Sequence, residues 1–163
     1  MDELAGKAGY ALKSHGLMLV TAESCTGGGV AQAITEVAGS SAWFERGFIT
    51  YSNLSKQQML RVSESTLKQH GAVSEATVRE MVEGALSNSA AQVALAVSGI
   101  AGPDGGTQDK PVGTVWFAWG TKNGETHAQR HYLGGNRAEV RAQAVQIALQ
   151  GVINLLNKNT KSA

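Results

Sequence analysis

Ser24 and Cys25 set a hydroxyl and the chain's single thiol side by side in Ala22-Glu23-Ser24-Cys25-Thr26-Gly27-Gly28-Gly29. An apolar run, Leu17-Met18-Leu19-Val20-Thr21, precedes this stretch, and Val30, Ala33, Ile34 and Val37 repeat after it at helical spacing. The stretch therefore reads as a strand-to-helix turn. The first amides of a helix lack internal partners and carry the positive end of its dipole. Such a turn can receive a phosphate or a developing oxyanion, and it puts Ser24 where a nucleophile is useful. A thiol there is acidified and more nucleophilic than a hydroxyl, but free cysteines are also commonly buried. Residue chemistry leaves Ser24 and Cys25 both open. A plainer reading makes Ser24 and Thr26 simple caps and the glycines a bend.

Three other groups can complete such a site. Tyr51-Ser52-Asn53-Leu54-Ser55-Lys56 follows a strand pattern, with Lys56 near the start of a short helix. That is the unfavourable end for a cation, and a lysine whose pKa is lowered there can take a proton from Ser24. The alternative is a solvated surface lysine, with Tyr51 an ordinary strand aromatic. Arg137 and Arg141 lie four apart on one helical face near a helix start, an arrangement suited to phosphate or to plain surface exposure. A second Gly-rich loop, Ser98-Gly99-Ile100-Ala101-Gly102-Pro103-Asp104-Gly105-Gly106, follows another apolar strand; its Asp104, with Asp109 beyond, can bind a ribose or make turns.

Cofactor signatures are lacking. Neither loop carries the Gly-Lys-Ser/Thr of a Walker A motif, and neither matches the full dinucleotide fingerprint. His127 and His131 would share a strand face about 13 Å apart, too far to chelate one ion. We expect no metal and no cofactor.

The elements that position these residues follow from periodicity. Helices are predicted at 2–14, from Val30 to a stop near Gly39, at 55–60 and at 63–70. Ser74 caps the clearest helix, with Val78, Met81, Val82, Ala85 and Leu86 on one face. Asn136-Arg137-Ala138-Glu139 opens the last helix as a capping box. Strands are predicted at 17–21, 44–51, 93–97, 112–121 and 126–133. Asn123-Gly124 joins the last two as a hairpin, so the sheet must be mixed. The two Gly-rich loops then open on the carboxyl edge of the sheet, where α/β proteins bind ligands. The expected fold is a single three-layer α/β/α sandwich over residues 1–163 with a mixed, mainly parallel sheet.

Composition narrows the function classes. The chain has 163 residues, a net charge of +1 and 17% charged residues, so no basic field points to nucleic acid. Its 42% of hydrophobic residues form no run of membrane-spanning length. Met1-Asp2-Glu3-Leu4 does not read as a signal peptide. We expect a cytoplasmic protein without a membrane partner.

Six segments resemble the CinA C-terminal-domain family at family spacing over residues 5–155: the Ala22–Gly28 turn, Gly47 through Tyr51-Ser52-Asn53 to Lys56, Gly71-Ala72-Val73-Ser74-Glu75, the Ser98–Gly106 loop, Lys110-Pro111-Val112-Gly113-Thr114-Val115, and Gly135-Asn136-Arg137 with Val140-Arg141. The resemblance implies hydrolysis of the carboxamide of nicotinamide mononucleotide, giving nicotinate mononucleotide and ammonia in pyridine-nucleotide salvage. It implies a three-layer α/β/α fold, commonly a dimer, with Ser24 as nucleophile and Tyr51 and Lys56 as its activating partners. Ser98 becomes a site hydroxyl, and Arg137 a phosphate or substrate contact. The nucleotide would be held by Thr26, Gly27 and Gly28, by Ser98, Gly99, Gly102, Asp104 and Gly105, and by Arg137 and Arg141. Gly29 stands where relatives often have a larger residue. Many relatives carry an N-terminal domain resembling molybdopterin-binding proteins, which this chain is expected to lack. Two alternatives stay beside this reading: a catalytically inactive nucleotide-binding module of the same fold, and an amidase for a related pyridine amide.

Overall fold

The continuously apolar segment Val93–Gly99 forms the central strand of a five-stranded sheet. In the computed structural model, which describes residues 2–162, the strands are β1 (Leu19–Glu23), β2 (Phe44–Ile49), β3 (Val93–Gly99), β4 (Thr114–Thr121) and β5 (Thr126–Tyr132), in the spatial order β2-β1-β3-β4-β5. β1 is parallel to β2 and to β3, whereas β4 is antiparallel to both β3 and β5. Only β4 therefore runs against the rest, and the expected mixed, mainly parallel sheet is what forms.

Burial on both faces makes the inner strands predominantly apolar. Helices α1 (Asp2–Ser14), α2 (Gly29–Thr35) and α6 (Arg137–Ser162) cover one face, packing Leu12, Ile34 and Leu149 on Leu19, Leu95 and Phe117. Helices α3 (Asn53–Leu60), α4 (Glu64–His70) and α5 (Glu75–Ser87) cover the other, with Leu60, Met81 and Val82 on Val20, Ala94 and Ala118. Side chains alternate between faces along a strand, so Leu19 joins the first core and Val20 the second. The result is the expected α/β/α sandwich.

Local signals held where they rested on capping chemistry. Ser74 Oγ accepts the Thr77 amide, and Asn136 and Glu139 exchange reciprocal bonds of 2.9 Å at the head of α6. Asn123 takes φ +67° in the hairpin. Boundaries shifted where tertiary contacts compete. β1 runs over 19–23 rather than 17–21, because the Met18 amide is taken by the Gln92 side chain while the ladder to β3 reaches Glu23–Val97. β2 stops at Ile49 rather than Tyr51, α2 at Thr35, and β4 begins at Thr114 rather than Val112. Gly113, at φ +94°, turns the chain to close the long loop by donating to the Ile100 carbonyl. The first shift matters most, because it makes Ser24 the first residue beyond the carboxyl edge.

α3 and α5 approach closely at Gly84. A Cβ there would lie 1.9 Å from the Leu60 carbonyl oxygen at the end of α3. Gly→Ala inside an exposed helix usually stabilises by about 1 kcal/mol. Here the clash is with backbone, so Gly84→Ala is expected to destabilise by about 1–3 kcal/mol, as overpacking does. Urea denaturation checks the sign.

Candidate active site

Ser24 leaves β1 level with its neighbours. Glu23 pairs with Ile49 on one side and Val97 on the other, so Ser24 stands between Thr50 and Ser98. Its amide donates to the Val97 carbonyl at 3.0 Å, fixing the start of the turn on the central strand. Ser24 and Ser98 are 7% and 1% exposed, and both line a cleft of about 240 Å³.

Lys56 reaches this point from the opposite side of the cleft. Ser52 caps α3 by accepting the Ser55 amide, which sets Lys56 as the fourth residue of the helix. The solvated-lysine reading fails: Lys56 is 1% exposed. Its Nζ lies 3.1 Å from Ser24 Oγ, 2.8 Å from the Thr50 carbonyl and 3.4 Å from the Tyr51 carbonyl. No carboxylate pairs with it among the described residues. Burial therefore lowers its pKa below the usual 10.5, against a smaller opposing influence from Cys25.

The start of α2 is organised differently from the sequence expectation. Glu23, fully buried, accepts the Thr26 hydroxyl at 2.6 Å and the Val30 amide at 2.8 Å on Oε1, and the Ala31 amide at 3.0 Å on Oε2. The helix amides expected to receive a phosphate thus hold an internal carboxylate. Thr26, expected to touch substrate, has its hydroxyl engaged by the same group. The amides of Cys25 and Thr26, immediately after Ser24, make no backbone hydrogen bond among the described residues. Glu23 carried no role in the sequence reading; a lone acid closing an apolar strand was its signal.

Arg141 also serves the turn. Its Nε donates to the Cys25 carbonyl at 3.1 Å and its Nη2 to the Thr26 carbonyl at 3.3 Å. A Cβ on Gly27, which sits at φ +59°, would lie 3.3 Å from that Nη2, so glycine admits the arginine rather than a ligand. Arg137 donates to the Gly102 carbonyl at 2.9 Å and to the Tyr51 hydroxyl at 3.2 Å. Both arginines expected to bind phosphate are engaged by the protein's own oxygens.

Ser24, Cys25, Tyr51, Lys56, Ser98, Gly99 and Arg137 line the cleft, with Ala72, Val73 and Ala101, which lie in segments quoted from the sequence but were given no role there. Thr26, Gly27, Gly28, Gly102, Asp104, Gly105 and Arg141 are not among its lining residues. Asp104 and Gly105 are exposed on the loop beyond. Tyr51, expected as an activating partner of Ser24, is 62% exposed; its phenol meets Arg137 and its carbonyl accepts from Lys56 Nζ. Cys25 is 5% exposed within the core of α1, α2 and α6. Burial, with the nearby Glu23 charge, pushes its thiol up to about 11, away from the thiolate a nucleophile requires. Among the described residues no group of three His, Cys, Asp or Glu could hold a metal, and no helix is long and apolar enough to cross a membrane.

Two outcomes follow. The unfolded chain binds the Lys56 proton more tightly than the native protein, so native stability rises as pH climbs through the lowered native pKa towards 10.5. Below the native value the full burial penalty remains. Between pH 7 and 10 the thermal midpoint of the wild type should therefore rise relative to that of Lys56→Met, which titrates nothing there. Glu23→Gln cannot accept all three donors, and chemical denaturation should show a loss of about 1–3 kcal/mol.

The CinA C-terminal domain model matches residues 1–156. The nicotinamide-nucleotide amidohydrolase PncC of Escherichia coli K12 is 56% identical over 158 residues, covering 97% of this chain and 96% of that protein. The protein of the same name from Pseudomonas putida is 51% identical over 152 residues, covering 93% and 94%. Among solved structures, the competence/damage inducible protein CihA from Agrobacterium tumefaciens superposes with a TM-score of 0.92 at 47% identity, covering 96% of this chain and 94% of that one. With the family model spanning residues 1–156 and relatives above 50% identity agreeing, the chain belongs to the CinA C-terminal domain family.

Proposed function

We propose that the protein is a nicotinamide-nucleotide amidohydrolase in which Ser24 is the nucleophile and Lys56 its base. The observation that carries the catalytic assignment is the 3.1 Å approach of Lys56 Nζ to Ser24 Oγ with no carboxylate on the lysine among the described residues. A neutral amine there can donate its two N–H groups to the Thr50 and Tyr51 carbonyls and offer its lone pair to the Ser24 hydroxyl. The reaction class is supported by relatives of over 50% identity that bear the amidohydrolase name.

The steps follow from that geometry. Ser24 Oγ bonds to the carboxamide carbon as its proton passes to Lys56. The Cys25 and Thr26 amides, which make no backbone hydrogen bond among the described residues, receive the oxyanion in this reading. The carbon–nitrogen bond then breaks, and the Lys56 proton goes to the departing nitrogen, which leaves as ammonia. Water, deprotonated by the same amine, cleaves the acyl-serine and releases nicotinate mononucleotide. A cytoplasmic homodimer that binds a small nucleotide completes this reading, carried by the family resemblance; sedimentation velocity tests the assembly.

Ammonia release from nicotinamide mononucleotide, measured with chelator present, tests the chemistry. Ser24→Ala should lower kcat by at least about 10³-fold and Lys56→Met by about 10²–10⁴-fold. Cys25→Ala should keep turnover within a few-fold of wild type. A Ser24→Ala protein that folds and turns over normally would overturn the assignment.

A further inference from the structure

The layer of side chains that holds Ser24 continues across the sheet. Ser98 pairs with Trp116 on β4, and Trp116 pairs with Arg130 on β5. Thr50, Ser24, Ser98, Trp116 and Arg130 thus form one row on the face covered by α3, α4 and α5. At ~4.8 Å per strand, Trp116 stands about 10 Å from Ser24 along this row. A second cavity, of about 300 Å³, opens there against Trp116, Arg130, Lys110 and Thr114, and Val73 lines both cavities.

Arg130 is held unusually. Its guanidinium carbon lies 5.8 Å from the Trp116 ring centroid and 4.9 Å from that of Tyr132. Its side chain, exposed on the edge strand, makes no ion pair or hydrogen bond among the described residues. Aromatic faces fix a guanidinium while leaving its in-plane N–H fork free, and that fork matches a phosphate. Lys110 adds a second positive charge, its Nζ donating one bond to the His70 carbonyl at 2.6 Å. Of the two lining carboxylates, Glu75 is already bonded by Arg79 at 2.8 Å, which leaves Asp109. Arg137 and Arg141, by contrast, have their forks engaged by backbone and phenol oxygens.

We propose that the second cavity is the phosphate subsite of the Ser24 cleft, with Arg130, stacked on Trp116 and Tyr132, as the residue that selects a nucleotide over a nucleoside. The proposal rests on the amidase reading for which carboxamide lies at Ser24. The Trp116 ring, over which the Arg130 guanidinium lies, stands two strand spacings from Ser24, about 10 Å along the row, and an extended mononucleotide attacked at its carboxamide would point its phosphate away from Ser24 in that direction.

The test is the ratio of kcat/KM for nicotinamide mononucleotide to that for nicotinamide riboside. Arg130→Gln should shrink this ratio at least about tenfold, mainly through KM for the mononucleotide, and Arg130→Lys should keep part of it. A ratio unchanged within twofold, or one that collapses in Arg137→Gln and survives in Arg130→Gln, would overturn the subsite. Should the wild type release no ammonia from either compound, the amidase reading itself fails. Calorimetry with nicotinate mononucleotide then decides the subsite alone: a tenfold weaker Kd in Arg130→Gln supports it, and equal affinity overturns it.

Discussion

A lysine nitrogen inside the protein, facing two carbonyls and a serine hydroxyl, is the constraint around which this structure is arranged. An ammonium in that position loses its hydration and gains no ion-pair partner among the described residues, so the environment favours the neutral amine. Solvent exposure would restore an ordinary surface cation, and a carboxylate beside it would hold the proton on. The close fit of α5 at Gly84 against the end of α3 keeps this helix against the sheet, and the Ser52 cap sets the position at which Lys56 enters.

Opposite the lysine, the turn after β1 is held by charges of both signs. Glu23 gathers the first amides of α2 and the Thr26 hydroxyl from below. Arg141 gathers the Cys25 and Thr26 carbonyls from α6. Donors and acceptors of the same short turn are therefore satisfied by two different layers of the sandwich. Such a turn is preorganised, and in the proposed reaction it leaves little reorganisation for the moment when charge develops at Ser24. The same arrangement leaves Cys25 5% exposed, between the core and the cleft that it lines, with its thiol pushed up to about 11.

The position of the site follows from the sheet. The parallel neighbours β2, β1 and β3 end together, so Thr50, Ser24 and Ser98 share one level on one face. The reversed strand β4 and its partner β5 extend that level with Trp116 and Arg130. A pocket built on one row of a rigid sheet keeps its spacings better than one built on loops alone.

Much of this was legible in the chain. Caps at Ser74 and Asn136, the hairpin at Asn123, and the apolar runs of the strands depend on local chemistry, and the sequence carries that chemistry in full. Ser24 and Lys56 could be named because a turn after a strand and a helix start each have recognisable residues. The choice between Ser24 and Cys25 could not be made locally, because both line the cleft and they differ in which one meets Lys56 and in how burial acts on the thiol. The roles of Arg141 and Arg137 were equally hidden, because each acts on atoms brought from elsewhere in the chain, whereas Glu23 acts on neighbours that only the folded turn brings towards it. For Arg141 the partner carbonyls lie 115 and 116 residues away. Burial and long-range hydrogen bonds are properties of the packed molecule. The sequence by itself determined the elements and the reactive residue types; only the tertiary structure decided which of them meet, because meeting depends on strand order and layer packing.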